Sequence, residues 1–174
     1  DRSDDPLNPK KGYRLTLNVQ PTAVAGEDTV LFVRAETQGT AYYPIQDRTV
    51  VAGRVRIGAI VGGEELTVPA DRLFYSGGGG SVRGYEYQGV NPRLPDNTPR
   101  GGLSLFETSL EVRRDIGKSF GAVAFVDAGA VGFQETPNLS NMRYAAGVGA
   151  RYNLPFGPVR ADIAVPLNPR DGDP

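Results

Sequence analysis

"GYRLTLNVQ", residues 12–20, alternates apolar and polar side chains, with Tyr13, Leu15, Leu17 and Val19 on one side and Arg14, Thr16, Asn18 and Gln20 on the other. Successive strand side chains point to opposite faces, so the stretch predicts a strand with one greasy and one polar face. The same period returns along the chain. Leu31, Val33 and Ala35 oppose Arg34, Glu36 and Gln38, and Val51, Val55, Ile57 and Ala59 oppose Arg54 and Arg56. Phe106, Leu110 and Val112 oppose Glu107, Glu111 and Arg113, while Ala122, Ala124 and Val126 oppose Val123, Phe125 and Asp127. Tyr144, Ala146, Val148, Ala150 and Tyr152 oppose Arg143 and Arg151, and Val159, Ala161, Ile163 and Val165 oppose Arg160 and Asp162. The reading is all-β with about seven strands, and 23 glycines and 14 prolines leave little room for long helices.

Alternation alone fits a soluble antiparallel β-sandwich with a dry core. Three features favour a membrane barrel. Several strands reach the ~9–11 residues that cross a bilayer at a tilt. Their connections also alternate in length: "PIQD", "DIGKS" and "LPFG" are tight, whereas "PTAVAGED", residues 62–102 and "GFQETPNLSNM" are longer. Short turns at one end and long loops at the other are what outer-membrane barrels show. The arginines of the polar face are costly in a dry core but acceptable in a water-filled lumen.

Composition narrows the function. The 174 residues hold 19 Lys+Arg against 20 Asp+Glu, no histidine and no cysteine. The balance lacks the basic footprint of a nucleic-acid binder, and the missing residue types exclude imidazole bases, thiol nucleophiles and histidine or cysteine metal ligands. No catalytic residue, metal or cofactor is expected. No stretch approaches a membrane-spanning helix, and "DRSDDPLNPKKG" does not resemble a signal peptide. An odd strand number leaves an unclosed sheet, so the chain reads as a piece of a barrel with more on both sides and at least one strand after Pro174.

"SVRGYEY" in the long loop, "SLEV" at 109–112 and "FVDAG" at 125–129 resemble, in this order, motifs of the outer-membrane barrel assembly and translocation superfamily. This bacterial surface antigen family includes BamA, TamA and the two-partner secretion transporters. "DRSDDPLNPKKGYRL" looks like the turn and strand opening the second half of such barrels, and "GVGARYNLPFGPVRADIAVPL" like a penultimate strand pair, most of all in TamA-like members. The resemblance covers nearly the whole chain. It implies an antiparallel transmembrane β-barrel, with residues 1–174 as an incomplete C-terminal part carrying about the ninth to fifteenth of sixteen strands. Periplasmic domains would precede it.

The same resemblance implies that residues 62–102 form a lumen-inserted loop whose Val82, Arg83, Gly84 and Tyr85 make a latch. Arg83 would meet Glu111 and Asp127 on the inner wall, with Phe125 and Gly129 completing the strand motif. The strand phasing independently turns both acids to the polar face. A guanidinium fork can serve two carboxylates at once, and lysine, a compact point charge, would not replace it equivalently. Glycine at 84 would let the backbone turn, Tyr85 would pack or hydrogen-bond against the wall, and the run Gly77–Gly80 would give a tight, unhindered approach.

The implied function is that of a non-enzymatic assembly factor inserting or exporting β-rich clients in the outer membrane. Its partners would be outer-membrane lipid, client β-barrel or autotransporter proteins and a TamB-like periplasm-spanning protein. A two-partner secretion pore and a soluble β-sandwich binding module are the alternatives. Other readings of single motifs are weaker. "GGGGS" as an engineered linker runs straight into the arginine motif, and as a phosphate loop it lacks a following Lys-Ser or Lys-Thr. "VDAG" occurs once, whereas an aspartic protease needs a second aspartate. Glu107 with Glu111 as a glycosidase pair share one strand with arginines, as a solvated lumen face would. Tyr42, Tyr43, Tyr75 and Tyr152 fit an interfacial belt or packed turns equally well.

Overall fold

The computed structural model describes residues 1–25, 29–155 and 157–170. Its strands are β1 (Gly12–Val24), β2 (Val30–Gln46), β3 (Thr49–Val61), β4 (Ser104–Ile116), β5 (Phe120–Gly132), β6 (Arg143–Leu154) and β7 (Gly157–Pro166). They form one seven-stranded antiparallel sheet in sequence order. A short 3-10 turn at Leu139–Asn141 precedes β6.

The strands run further than the alternation marks. The expected "PTAVAGED" connection is shorter, because pairing continues from Pro21↔Val33 to Val24↔Val30. Of that stretch, residues 26–28 lie outside the described residues, as does Phe156 of "LPFG" and the 171–174 end of "NPRDGDP". The asymmetry of the connections is as expected: β2–β3, β4–β5 and β6–β7 join by tight turns at one end, and residues 62–103 and 133–142 span the other.

The two faces differ as the phasing predicts. Leu15, Val148 and Ile163 are 67%, 62% and 77% exposed, and they share their face with Leu17, Val19, Leu31, Val55 and Val126. No second sheet covers this face among the described residues, as one would in a dry-core sandwich. An apolar surface of this breadth is unstable in water and stable against acyl chains. The tyrosines divide: Tyr43 and Tyr152 are exposed, with Tyr152 edge-on to Phe120 at 4.9 Å between ring centroids. Tyr42 instead lies under the guanidiniums of Arg14 and Arg113, and Tyr75 packs beside the loop core.

Residues 62–103 fold over the other, inner face. Loop residues Val68, Leu73 and Phe74 pack on Phe32, Ile60, Leu105 and Val131 from four strands. A second cluster joins Val82, Tyr85 and Val90 to Ala145 of β6. At the tight-turn end the N-terminal segment crosses the same face: Lys10 Nζ pairs with Asp115 at 2.9 Å and Arg151 donates to Asn8 at 2.9 Å. Asp4 anchors this segment by accepting the N–H groups of Lys10 and Lys11. Those amides, Lys11's first, hold its carboxyl below the usual range.

If the apolar face meets lipid, Val148→Arg at the middle of β6 should cost about 2–4 kcal/mol of barrel stability, whereas Asn18→Arg on the inner face of β1 should cost little. Unfolding in lipid vesicles by denaturant titration measures both. Equal costs would place the two faces in one solvent.

Candidate functional site

The inner wall owes its chemistry to strand phasing. Glu107, Ser109 and Glu111 alternate along β4 and Phe125 and Asp127 along β5, so their side chains share one face. Register aligns Ser109 with Asp127 and Glu111 with Phe125. All five are buried or nearly so, although three carry carboxylates. Burying such acids demands cations and hydrogen bonds, and the loop supplies one of them.

Arg83 reaches this wall with every N–H engaged. Its Nε and Nη2 donate to the two oxygens of Asp127 at 2.7 Å each. Nη1 donates to Glu111 at 2.7 Å and to Asp162 of β7 at 3.3 Å. Nη2 also reaches Ser109 Oγ at 3.1 Å, and that hydroxyl donates to Asp127 at 2.6 Å. The backbone N–H of Arg83 adds a bond to Asp127 at 3.1 Å. A guanidinium has five N–H donors in a rigid plane, and here each has an acceptor. The plane lies over the Phe125 ring, 3.4 Å from its centroid, a stacking that a lysine cannot reproduce.

The carboxylates have further partners. Glu111 accepts from Arg113 at 2.9 Å and from Arg160 at 3.0 and 3.1 Å. Arg160 also donates to Asp162 at 2.7 Å. Arg83, Arg113 and Arg160 thus face Glu111, Asp127 and Asp162, a neutral cluster spanning the loop, β4, β5 and β7. A polar cavity of about 360 Å³ opens beside it, lined by Arg54, Arg83, Glu111, Arg113, Arg160 and Asp162 among others.

The neighbours of Arg83 fit by size. Gly84 has φ +92°, and a Cβ there would stand 3.0 Å from the Val165 backbone and 3.2 Å from Ala145 Cβ, so glycine is needed twice over. Gly129 clears space for Val82, whose Cγ2 would lie 2.7 Å from an added Cβ. Tyr85 is buried and donates to Asn168 Oδ1 at 3.1 Å. The expected freedom of the glycine run holds for only part of it. Gly77 is crowded by Glu86 and Gly89, whereas Gly79 and Gly80 face open space.

The structure therefore brings Val82, Arg83, Gly84, Tyr85, Glu111, Phe125, Asp127 and Gly129 into one region. It adds residues that the sequence reading passed over. Asp162, phased inward with Arg160, was visible as a polar position but not as a partner of the loop. Asn168 accepts the backbone N–H of Tyr144 at 2.7 Å and donates to Met142 O at 2.9 Å. Arg170 donates to the carbonyls of Val90 and Asn91. Both lie in "NPRDGDP", which has no periodicity to mark them.

Comparison with known proteins agrees with the fold. The chain matches the Omp85 superfamily domain over residues 1–174. It is 27% identical over 184 residues to the outer membrane protein assembly factor BamA of Nitratidesulfovibrio vulgaris, covering 99% of the chain and 23% of that protein. It is 25% identical over 183 residues to the outer membrane protein assembly factor BamA of Neorickettsia risticii, covering 98% and 24%. The chain thus spans about a quarter of the length of these curated relatives. In structure it is similar to BamA from Haemophilus ducreyi lacking POTRA domains 1–3, with TM-score 0.77, 18% identity, and coverage of 99% of the chain and 38% of that structure.

Removing Arg83 takes from the buried Asp127 its cation among the described residues. Arg83→Ala is expected to lower barrel stability by about 3–5 kcal/mol, and Arg83→Lys to recover only a minor part, because three donors replace a planar five. Denaturant titration of the folded barrel reads both, and full recovery by lysine would refute the geometric argument.

Proposed function

Because the chain belongs to the Omp85 superfamily, we propose that it forms part of the wall of an outer-membrane barrel that inserts or assembles other β-rich proteins. The curated relatives carry the name of outer membrane protein assembly factors, which supports this reading over a two-partner secretion pore. The observation that carries it is the loop folded back on the polar face, with Arg83 joined to acids on three strands.

In the proposed role residues 62–102 are a lumen-inserted loop, and Val82, Arg83, Gly84 and Tyr85 a latch that fixes it to Glu111 and Asp127. The physical reason for such a brace is mechanical. An assembly barrel must tolerate opening between two of its strands, where free backbone N–H and C=O groups can template a client strand by β-augmentation. A wall opened at one place stays folded if it is tied internally elsewhere. The ion cluster spanning β4, β5 and β7 supplies that tie, and the apolar packing of Phe74 on Phe32, Ile60 and Leu105 adds a second.

The role needs no hydrolysed cofactor; strand pairing and lipid insertion of the client supply the driving force. The proposed clients are β-barrel or autotransporter proteins, and a TamA-like member of the family would work with a TamB-like periplasm-spanning partner.

Arg83→Ala in the protein in its own outer membrane should slow client insertion by roughly tenfold, as expected if the competent loop position becomes a minor state. Protease protection of a newly made client barrel follows the rate. An unaltered rate with the loop displaced would separate the latch from function. Unaltered client insertion on deleting the protein, with loss of one secreted substrate instead, would favour the pore.

A further inference from the structure

Ser81 stands two residues before Arg83 and points to a different acid. Its hydroxyl donates to Glu107, whose side chain is fully buried on β4. With that proton committed, Ser81 Oγ accepts from Ser76 Oγ at 2.9 Å and from the Gly77 N–H at 3.0 Å. The hydroxyl therefore closes the glycine turn on itself and ties it to the wall.

Glu107 has its own cations. Arg56 lies at 3.5 Å and Arg54 at 3.8 Å. Arg56 also pairs with Glu36 at 2.7 Å, and Glu36 with Arg34 at 2.9 Å. These charges run across β2, β3 and β4, whereas the Arg83 cluster runs across β4, β5 and β7. Arg54 completes the contact from the other side, donating to the carbonyls of Gly80 at 3.0 Å and Ser81 at 2.8 Å. Val82 sits between the two anchors, wholly buried.

We propose that Glu107 is a second positioning residue for the loop, acting through Ser81, so that the tripeptide 81–83 bridges two separate ion networks of the inner wall. Arg83 fixes the loop to one half of the sheet and Ser81 to the other. The glycines before Ser81 give the turn that lets neighbouring residues face different acids. Glu107 does not depend on Arg83 for its cations, so its contribution to loop seating is independent of the latch.

The test uses the protein in its membrane and the rate at which a maleimide modifies the thiol introduced by Val82→Cys. This chain has no cysteine of its own, and a cysteine side chain is a small hydrophobe suited to the site. Glu107→Leu, which removes the acceptor while Arg56 keeps Glu36, is expected to raise the rate roughly tenfold with Arg83 intact. Glu107→Gln keeps an acceptor for Ser81 and should restore most of the protection. Ser81→Ala should expose the thiol as Glu107→Leu does, while heat-modifiable mobility shows the barrel still folded. If Glu107→Leu fails to fold, Ser81→Ala decides, since it leaves the wall charges paired. Unchanged protection in Ser81→Ala, or equal exposure in the Gln and Leu variants, would overturn the proposal. Thiol access does not depend on client insertion, so this result stands apart from that of the assembly role.

Discussion

A cation that is never neutral, folded against buried carboxylates, is the constraint on which this structure depends. Arg83 cannot shed its proton to enter a poorly hydrated place, and Asp127, enclosed on the wall, needs a cation beside it. Each makes the other's position tolerable. The arrangement is directional, because a planar fork laid over Phe125 meets its acceptors only when β4, β5 and β7 hold their register. Loop docking and wall geometry are consequently one equilibrium.

Much of this wall was legible in the sequence because strand periodicity is a strong signal. The positions of Leu15, Val55 and Val148 on the lipid side and of Glu111 and Asp127 on the polar side follow from parity alone. Strand ends were less legible. Pairing through Pro21 to Val24 overrides a local turn signal, since a register once set continues as long as partners remain. The loop was legible only through its motif: nothing in composition says that Phe74 seats on Ile60 and Leu105, because those contacts cross tens of residues of chain.

The least legible parts were the partners with no period to place them. Asn168 and Arg170 reach the loop from beyond β7. Glu107 was visible as an inward acid, but its bond to Ser81 needs the loop conformation. Glu107 and Glu111, which the sequence marks as acids of a lumen face rather than a glycosidase pair, divide the labour, each holding a separate group of arginines. A wall carrying two charge groups joined by one short segment has a stiffness that either group alone would lack, and the proposed assembly role calls for such stiffness.

The central claim is that Arg83 and Asp127 stabilise the barrel through each other. A double-mutant cycle of Arg83→Ala and Asp127→Ala, read as unfolding free energy in lipid vesicles, tests it most directly. A coupling of about 2–3 kcal/mol is expected, with the double variant little worse than Arg83→Ala alone. Additive losses, within about 0.5 kcal/mol, would contradict it.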